Sequence, residues 1–521
     1  MNLLGTANKN YLFILLIVLV FFLSLLFRVT NLGLIEFKAD EGINLFLATR
    51  PLFGHSFVPG GTVSSLGITN FPLINYILLP FTIVSLDPKI ISFFIGLLNS
   101  LAIVGFFVIV KRYYNQTIAL ISSLLIATSP WAILFSRKIW AQDFLLPLFI
   151  PLFLSIHKII IDKNQKYWIL YSLSSLLLIQ IHQSVIFLVI SISLFLIIYK
   201  VKINFKYLVL GGVLGLIPTL HYIYYQLSTG CFDCKMFLTS GQRVSDQASL
   251  FLFIRPLQIL NQGNFFPVLG EDVIYFAKNF PLAYTLKQFY YLEYILLPIG
   301  AFLFYKLFKK IGFIVFPIFT LPFIYAFFKL EPHIHYYLII APFLFLFLGV
   351  AFNQLISNKN KLIKYSSISL FCLLVGLSLY YSYAFFETVR NQKNIKGDYG
   401  LIFGVKEKET KQIYSPYKND VHYEEMLIAN YVPYSLSHGD IGISRMLYDP
   451  KKTERNMQEL ETRLKEVPLD RGAQQELIAY YTKEIPSKRT VEALRIKSEK
   501  NLGLVSVYEE VRNYFNEKAK K

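Results

Sequence analysis

Cysteine is almost missing: Cys231, Cys234 and Cys372 are all that 521 residues contain. Three are too few for a disulfide framework, so cysteine usage leaves the redox compartment undetermined. Acids are scarce too, and unevenly so. Residues 1–386 hold 27 Lys plus Arg against 12 Asp plus Glu, whereas residues 387–521 hold 24 against 21. No internal repeat or low-complexity stretch is evident, which excludes solenoids and compositionally biased tails. The first apolar run, "YLFILLIVLVFFLSLLF", lacks a small-x-small cleavage site and is longer than the apolar region of a signal peptide. It reads as an uncleaved first span.

What the chain has in abundance is apolar surface. Hydrophobic residues make up 55%, with 48 Phe and 35 Tyr, more than an ordinary water-soluble domain carries. The class is an integral membrane protein. A net charge of +18 invites a nucleic-acid reading. The excess, however, lies in short loops between apolar runs, where it orients helices in a bilayer, and no nucleic-acid partner is expected.

Further apolar runs lie near residues 90–110, 117–135, 144–161, 167–181, 184–199, 206–226, 289–308, 311–328, 336–356 and 364–386. With the first run they give about eleven transmembrane helices. "FPLINYILLPFTIVSL" at residues 71–86 is apolar but short and carries Pro72 and Pro80; it reads as an interfacial helix. Lys111 and Arg112, Lys163 and Lys166, Lys200 to Lys206, Lys306 to Lys310 and Lys359 to Lys364 then share the side of Lys9, as the positive-inside rule requires. The expected protein is α-helical and polytopic in the plasma membrane, with a cytoplasmic N-terminus and an extracytoplasmic tail. Residues 1–386 form its membrane domain and 387–521 a small soluble helical domain, read from "EEMLIANYV", "TERNMQELETRLKEV" and "GAQQELIAYYTKEI".

Polar chemistry concentrates in three outward segments: residues 28–89, the turn "SRKIWAQD" at 136–143, and the loop at 227–288. Asp40 and Glu41 stand where the first of these turns into the amphipathic "GINLFLATRPL". A carboxylate half desolvated there is a good proton acceptor, because burial raises its pKa. Acids in a first turn also simply suit the helix dipole, so a helix start is the plain alternative. In the second segment Arg137 and Lys138 lie outside, against the orientation bias. Binding of an anionic ligand and snorkelling to lipid phosphates are both open.

At these residues the sequence resembles a family. The acidic pair after the first span, the Pro-containing stretch "NFPLINYILLP", the basic loop "KRYYN" and then "ALISSLLIATSPWAILFSRKIWAQDFLLPLF" look like the GT-C class of glycosyltransferases. Within that class they are most similar to glycosyltransferase family 39 and the aminoarabinose transferases, over about residues 10–200. The resemblance implies a GT-C helical bundle, a polyprenyl-phosphate-sugar donor, an acceptor hydroxyl of protein, lipid or glycan on the outer face, and inversion at the anomeric carbon. It puts the catalytic aspartate at Asp40, a supporting acid at Glu41, and the family's basic and acidic residues of the second turn at Arg137 and Asp143. Relatives often carry Pro-Pro preceded by Lys or His where Asn70, Phe71 and Pro72 stand here. In the scheme it implies, Asp40 takes the hydroxyl proton while Arg137, helped by Lys138, faces the leaving phosphate.

Other polar groups are candidates in their own right. His182 in "LIQIHQSVIF" is either a donor-binding group or a hydrogen-bonded membrane histidine. His335, in "FFKLEPHIHYYLIIAPF" beside Glu331 and His333, is a donor to phosphate or sugar, or part of an interfacial anchor with Tyr336 and Tyr337. No cofactor follows with certainty, and a divalent metal is compatible with these residues but not indicated. "CFDC" at 231–234 suits a local disulfide better than a zinc site. The rival function is a transporter or flippase of lipid-linked sugar. That reading calls for ionisable groups near the bilayer midplane and paired halves with broken helices; a catalytically inactive relative is a third reading.

Overall fold

The structure is a computed structural model. It describes residues 3–431 apart from 55, 63–67, 229, 232, 235–250, 261–264, 328–332, 420 and 422. Glu331 and the two later tail segments, "TERNMQELETRLKEV" and "GAQQELIAYYTKEI", lie outside the described residues. Among the described residues the protein is helical, and its only β pairing is two isolated bridges, Glu36 with Ile402 and Asn394 with Leu401.

Every apolar run named above is helical, for the reason the bilayer dictates: backbone polar groups in hydrocarbon must be satisfied within the segment. Among the described residues five helical stretches are long and apolar enough to cross a membrane: Pro88–Tyr113, Ala141–Ile160, Phe205–Ser228, Ile334–Ile356 and Lys361–Gln392. The protein is therefore a multi-pass membrane protein. Shorter apolar helices include Gln116–Thr128, Val185–Ile198 and Leu73–Val84. The last has 12 residues, about 18 Å of helix, too little to cross about 30 Å of hydrocarbon and in keeping with an interfacial helix. The run at 117–135 is broken. Helix Gln116–Thr128 ends at Ser129, whose extended ψ of 120° is what a following proline demands, and Pro130 opens the short helix Pro130–Leu134. Helix Lys361–Gln392 is one uninterrupted element that runs past residue 386.

The chain forms two compact units that alternate along the sequence. The first comprises residues 1–36, 92–217 and 244–402; the second comprises 37–91, 218–243 and 403–521. In the first unit the helices Ala341–Ile356 and Tyr291–Leu307 pack closely. Gly300 makes this approach feasible, since a Cβ there would strike the Phe347 carbonyl. Leu101, Val108, Ile190 and Leu194 remain exposed on the apolar helices, as helices solvated by lipid allow. In the second unit Phe37 meets Phe403 and Tyr431 at 4.9 and 5.3 Å between ring centroids. These contacts dock helix Tyr423–Tyr431, which takes in "EEMLIANY" of the first tail segment, on the chain entering Ala39–Thr49. Within 251–286, read as loop from the sequence, the described residues form short helices; Pro267 and Pro281 open two of them, and Gly270 ends Phe266–Leu269.

Candidate functional site

The acidic pair belongs to the second unit and opens helix Ala39–Thr49. Both carboxylates fall in its first turn, where they favour the positive end of the dipole. Their fates differ because of helix phase. Glu41, the third helical residue, folds back so that its carboxylate accepts the Lys38 backbone N–H at 2.9 Å, and it is buried. Asp40, one residue earlier, points outward and is exposed. The expectation of a half-desolvated Asp40 is thus corrected: burial falls on Glu41. Nearby in the same unit, Asn70 of the "NFP" stretch donates to the Thr62 hydroxyl at 3.1 Å and Asn75 donates to the Gly60 carbonyl at 2.9 Å. These bonds fold the segment before helix Leu73–Val84 against itself.

Sequence reasoning missed Asp233. It lies between Cys231 and Cys234, which form a disulfide, and its carboxylate is buried. One oxygen accepts the backbone N–H and the hydroxyl of Thr69 at 3.2 and 3.3 Å. The other accepts the Tyr222 hydroxyl at 2.8 Å and the Gln226 amide at 2.5 Å. Four donors satisfy a charge that would otherwise be costly to bury. The motif drew attention to the sulfurs, whereas the acid between them makes the long-range contact.

The basic turn belongs to the first unit, and there the structure replaces both readings of Arg137 with a third. Its guanidinium is buried and donates to the carbonyls of Phe27, Thr30 (3.0 Å) and Asn31 (2.9 Å), with Phe386 stacked at 4.4 Å. These carbonyls belong to the turn that follows the first helix, Leu3–Leu25, and the buried cation ties that turn down. Arg28 donates to the carbonyls of Ala127 at 2.7 Å and Ile126 at 3.3 Å, at the end of helix Gln116–Thr128, and to Ser24 at 2.8 Å. Arg28 thus caps helix Gln116–Thr128, while Arg137 holds the turn in which Arg28 stands. Gly96 lets a third helix pass, since a Cβ there would meet the Arg28 carbonyl at 2.7 Å. Burial lowers Arg28 to about 9, with Arg137 beside it adding to the effect, and lowers Arg137 to about 10. Both stay charged at neutral pH.

Asp143 shapes the turn. It is fully buried; its carboxylate accepts the Lys138 N–H at 2.7 Å and its carbonyl accepts the Asn99 amide at 2.8 Å. The peptide between Arg137 and Lys138 is also held, by the Ser92 hydroxyl on the Arg137 carbonyl. Lys138 consequently points another way from Arg137. Its ammonium pairs with Glu36, a residue the sequence reading did not single out, and lies 5.0 and 5.2 Å from the rings of Phe135 and Trp140. Trp140 in turn meets His335 at 4.9 Å, and His335 meets His182 at 5.6 Å. Tyr336 closes on His182 at 4.8 Å, and His182 shares a 2.5 Å hydrogen bond with Ser184. Burial lowers the His182 imidazole to about 4, so it is neutral near pH 7.

Of the sequence candidates, the first unit therefore brings Lys138, His182 and His335 together around Trp140, while Arg137 and Asp143 act on the backbone of the turn. An ammonium, a carboxylate and two imidazoles framed by aromatic rings can hydrogen-bond an anionic or hydroxylated ligand. Among the described residues no group of three His, Cys, Asp or Glu side chains is placed to hold a metal ion.

Residues 71–225 match the family of dolichyl-phosphate-mannose-protein mannosyltransferases. This match bears out the resemblance to GT-C glycosyltransferases read from the sequence. No curated protein matches the chain by sequence. Among solved structures, ArnT from Cupriavidus metallidurans bound to undecaprenyl phosphate is similar with a TM-score of 0.47 and 12% identity, over 78% of this chain and 80% of that one. AglB from Archaeoglobus fulgidus, in complex with an inhibitory peptide and a dolichol-phosphate, is similar with a TM-score of 0.41 and 14% identity, over 82% of this chain and 60% of that one.

Proposed function

We propose that the protein is a GT-C glycosyltransferase that moves a sugar from a polyprenyl-phosphate donor to an acceptor hydroxyl on the extracytoplasmic face of the plasma membrane, with inversion. The family match over residues 71–225 carries this reading. It is supported by an exposed carboxylate in a helix first turn at Asp40 and by the set of Lys138, His182 and His335 around Trp140. About eleven spans, a cytoplasmic N-terminus and a soluble extracytoplasmic domain at 387–521 are part of the same proposal.

In this scheme Asp40 takes the proton of the acceptor hydroxyl as the oxygen attacks the anomeric carbon, and the polyprenyl phosphate leaves with its extra negative charge. Glu41 fixes the turn that presents Asp40. Lys138 faces the leaving phosphate as a point charge, and His182 and His335 donate to phosphate or sugar. Arg137 and Asp143 serve the donor through the turn they hold.

Asp40→Asn tests the scheme directly, because it preserves size and one acceptor oxygen but cannot accept a proton at neutral pH. In detergent, with a lipid-linked sugar and a working acceptor, transfer should fall at least about 10²-fold, with donor binding and thermal stability unchanged. Near-normal transfer would remove the base from the scheme and leave the pair as a helix start.

A further inference from the structure

The first unit also holds a pocket that shares no residue with the site described above. Its volume is about 490 Å³, and it lies where three connections meet, at residues 159–165, 199–202 and 309–313. Lys163, Lys200, Lys202, Lys309 and Lys310 line it, and no acid does. Among the described residues none of these five ammonium groups has an ion-pair partner. The adjacent carboxylate, Asp162, turns instead to Lys158 at 2.8 Å, to Arg112 at 3.6 Å and to the Tyr113 hydroxyl at 2.9 Å.

The positive-inside rule explains why lysines occur in these loops. It does not explain why three loops bring five of them into one concavity, where like charges repel. Two backbone details point the same way. Lys163 and Lys200 both adopt left-handed conformations, with φ of 55° and 53°, which bulky side chains rarely take and which cost free energy to hold. The pocket has an apolar wall as well: the rings of Tyr199 and Phe313 stack at 4.4 Å. The elements leading away from it expose Ile197, Ile198 and Leu307, each more than half accessible. A polycationic cup with an apolar flank fits a phosphate carried on acyl chains better than a free one.

We propose that this pocket binds the headgroup of an anionic phospholipid, with the lysines on its phosphate and the acyl chains along the exposed helix faces. The protein in neutral detergent should bind added phosphatidylglycerol at a saturable site, seen by native mass spectrometry and by a rise in Tm. Phosphatidylcholine, inorganic phosphate and glycerol phosphate should not reproduce this. A Lys200→Gln, Lys202→Gln, Lys309→Gln, Lys310→Gln variant changes only exposed side chains. Each lysine beside an anionic lipid is worth roughly a five-fold change in affinity, so the variant should bind phosphatidylglycerol at least about 30-fold more weakly with its Tm in neutral detergent unchanged. Lys359→Gln, Lys361→Gln, Lys364→Gln, outside the pocket, should bind as the unmodified protein does. Equal loss in the two variants would reduce the effect to general surface charge and overturn the site. Equal stabilisation by glycerol phosphate would overturn the lipid assignment, and undiminished binding by the four-lysine variant would overturn both.

Discussion

The acidic first turn at Ala39–Thr49 and the basic turn at 136–143 each place two like charges side by side, and in both the neighbours part company. Glu41 and Arg137 go inward and satisfy backbone groups; Asp40 is exposed, and Lys138, buried as well, turns instead onto Glu36 and Trp140. A helix rotates about 100° per residue and a tight turn reverses direction within a few residues, so adjacent side chains rarely share a task. In both turns one member is held by the peptide groups it reaches, Glu41 at a helix start and Arg137 in the turn after a helix.

Breaking the inward basic residue should have the largest effect. Arg137→Ala removes the buried, charged donor shared by three carbonyls of the turn after the first helix. A loss of about 3 kcal/mol or more is expected, read as a fall in Tm in detergent without any substrate. Were Arg137 instead a donor-phosphate ligand alone, the same variant would keep its Tm and lose only donor binding.

The inward acid sharpens the comparison at smaller cost. Glu41→Ala removes one cap and should destabilise by about 1 kcal/mol, whereas Glu41→Gln keeps an acceptor oxygen for the Lys38 N–H and should lose less than half of that. A Glu41→Gln variant as damaged as Glu41→Ala would show that the carboxylate charge, not the hydrogen bond, matters there.

The smallest effect belongs to the imidazole beside the basic turn. His182 titrates near 4 in the folded protein against an ordinary 6.5, so the unfolded chain binds the extra proton first. Stability attributable to it is complete above about 6.5 and is lost as pH falls toward 4. Thermal unfolding of the unmodified protein between pH 7 and pH 5 should therefore fall more steeply than that of His182→Gln. Identical slopes would place the imidazole in water.

How much of this was legible beforehand varies residue by residue. The helices were, because a bilayer imposes its length and polarity on each run separately, and Pro72 and Pro80 already mark the interfacial stretch; the break at Pro130 was not, since 117–135 reads as one apolar run. The acidic pair was legible as a helix start, since first-turn preferences act over four residues. Arg28 was not noticed, although an arginine just after a span is a signal that a carbonyl end needs a cation. Nothing in the sequence links Arg28 to Ala127 or Arg137 to Asn31.

The sequence by itself determined the membrane class, the run of helices, the resemblance to GT-C glycosyltransferases and the residues worth testing, because each of these follows from local composition or from a short motif. Tertiary structure alone decided which member of each charged pair serves the backbone, that Arg28 caps helix Gln116–Thr128 and Arg137 holds the turn after the first helix, that Glu36 meets Lys138, that Asp233 rather than its flanking cysteines clamps Thr69, and that five lysines from three loops surround one pocket. These are contacts between residues tens to hundreds of positions apart. They exist only once packed helices have fixed the directions of side chains that no local pattern specifies.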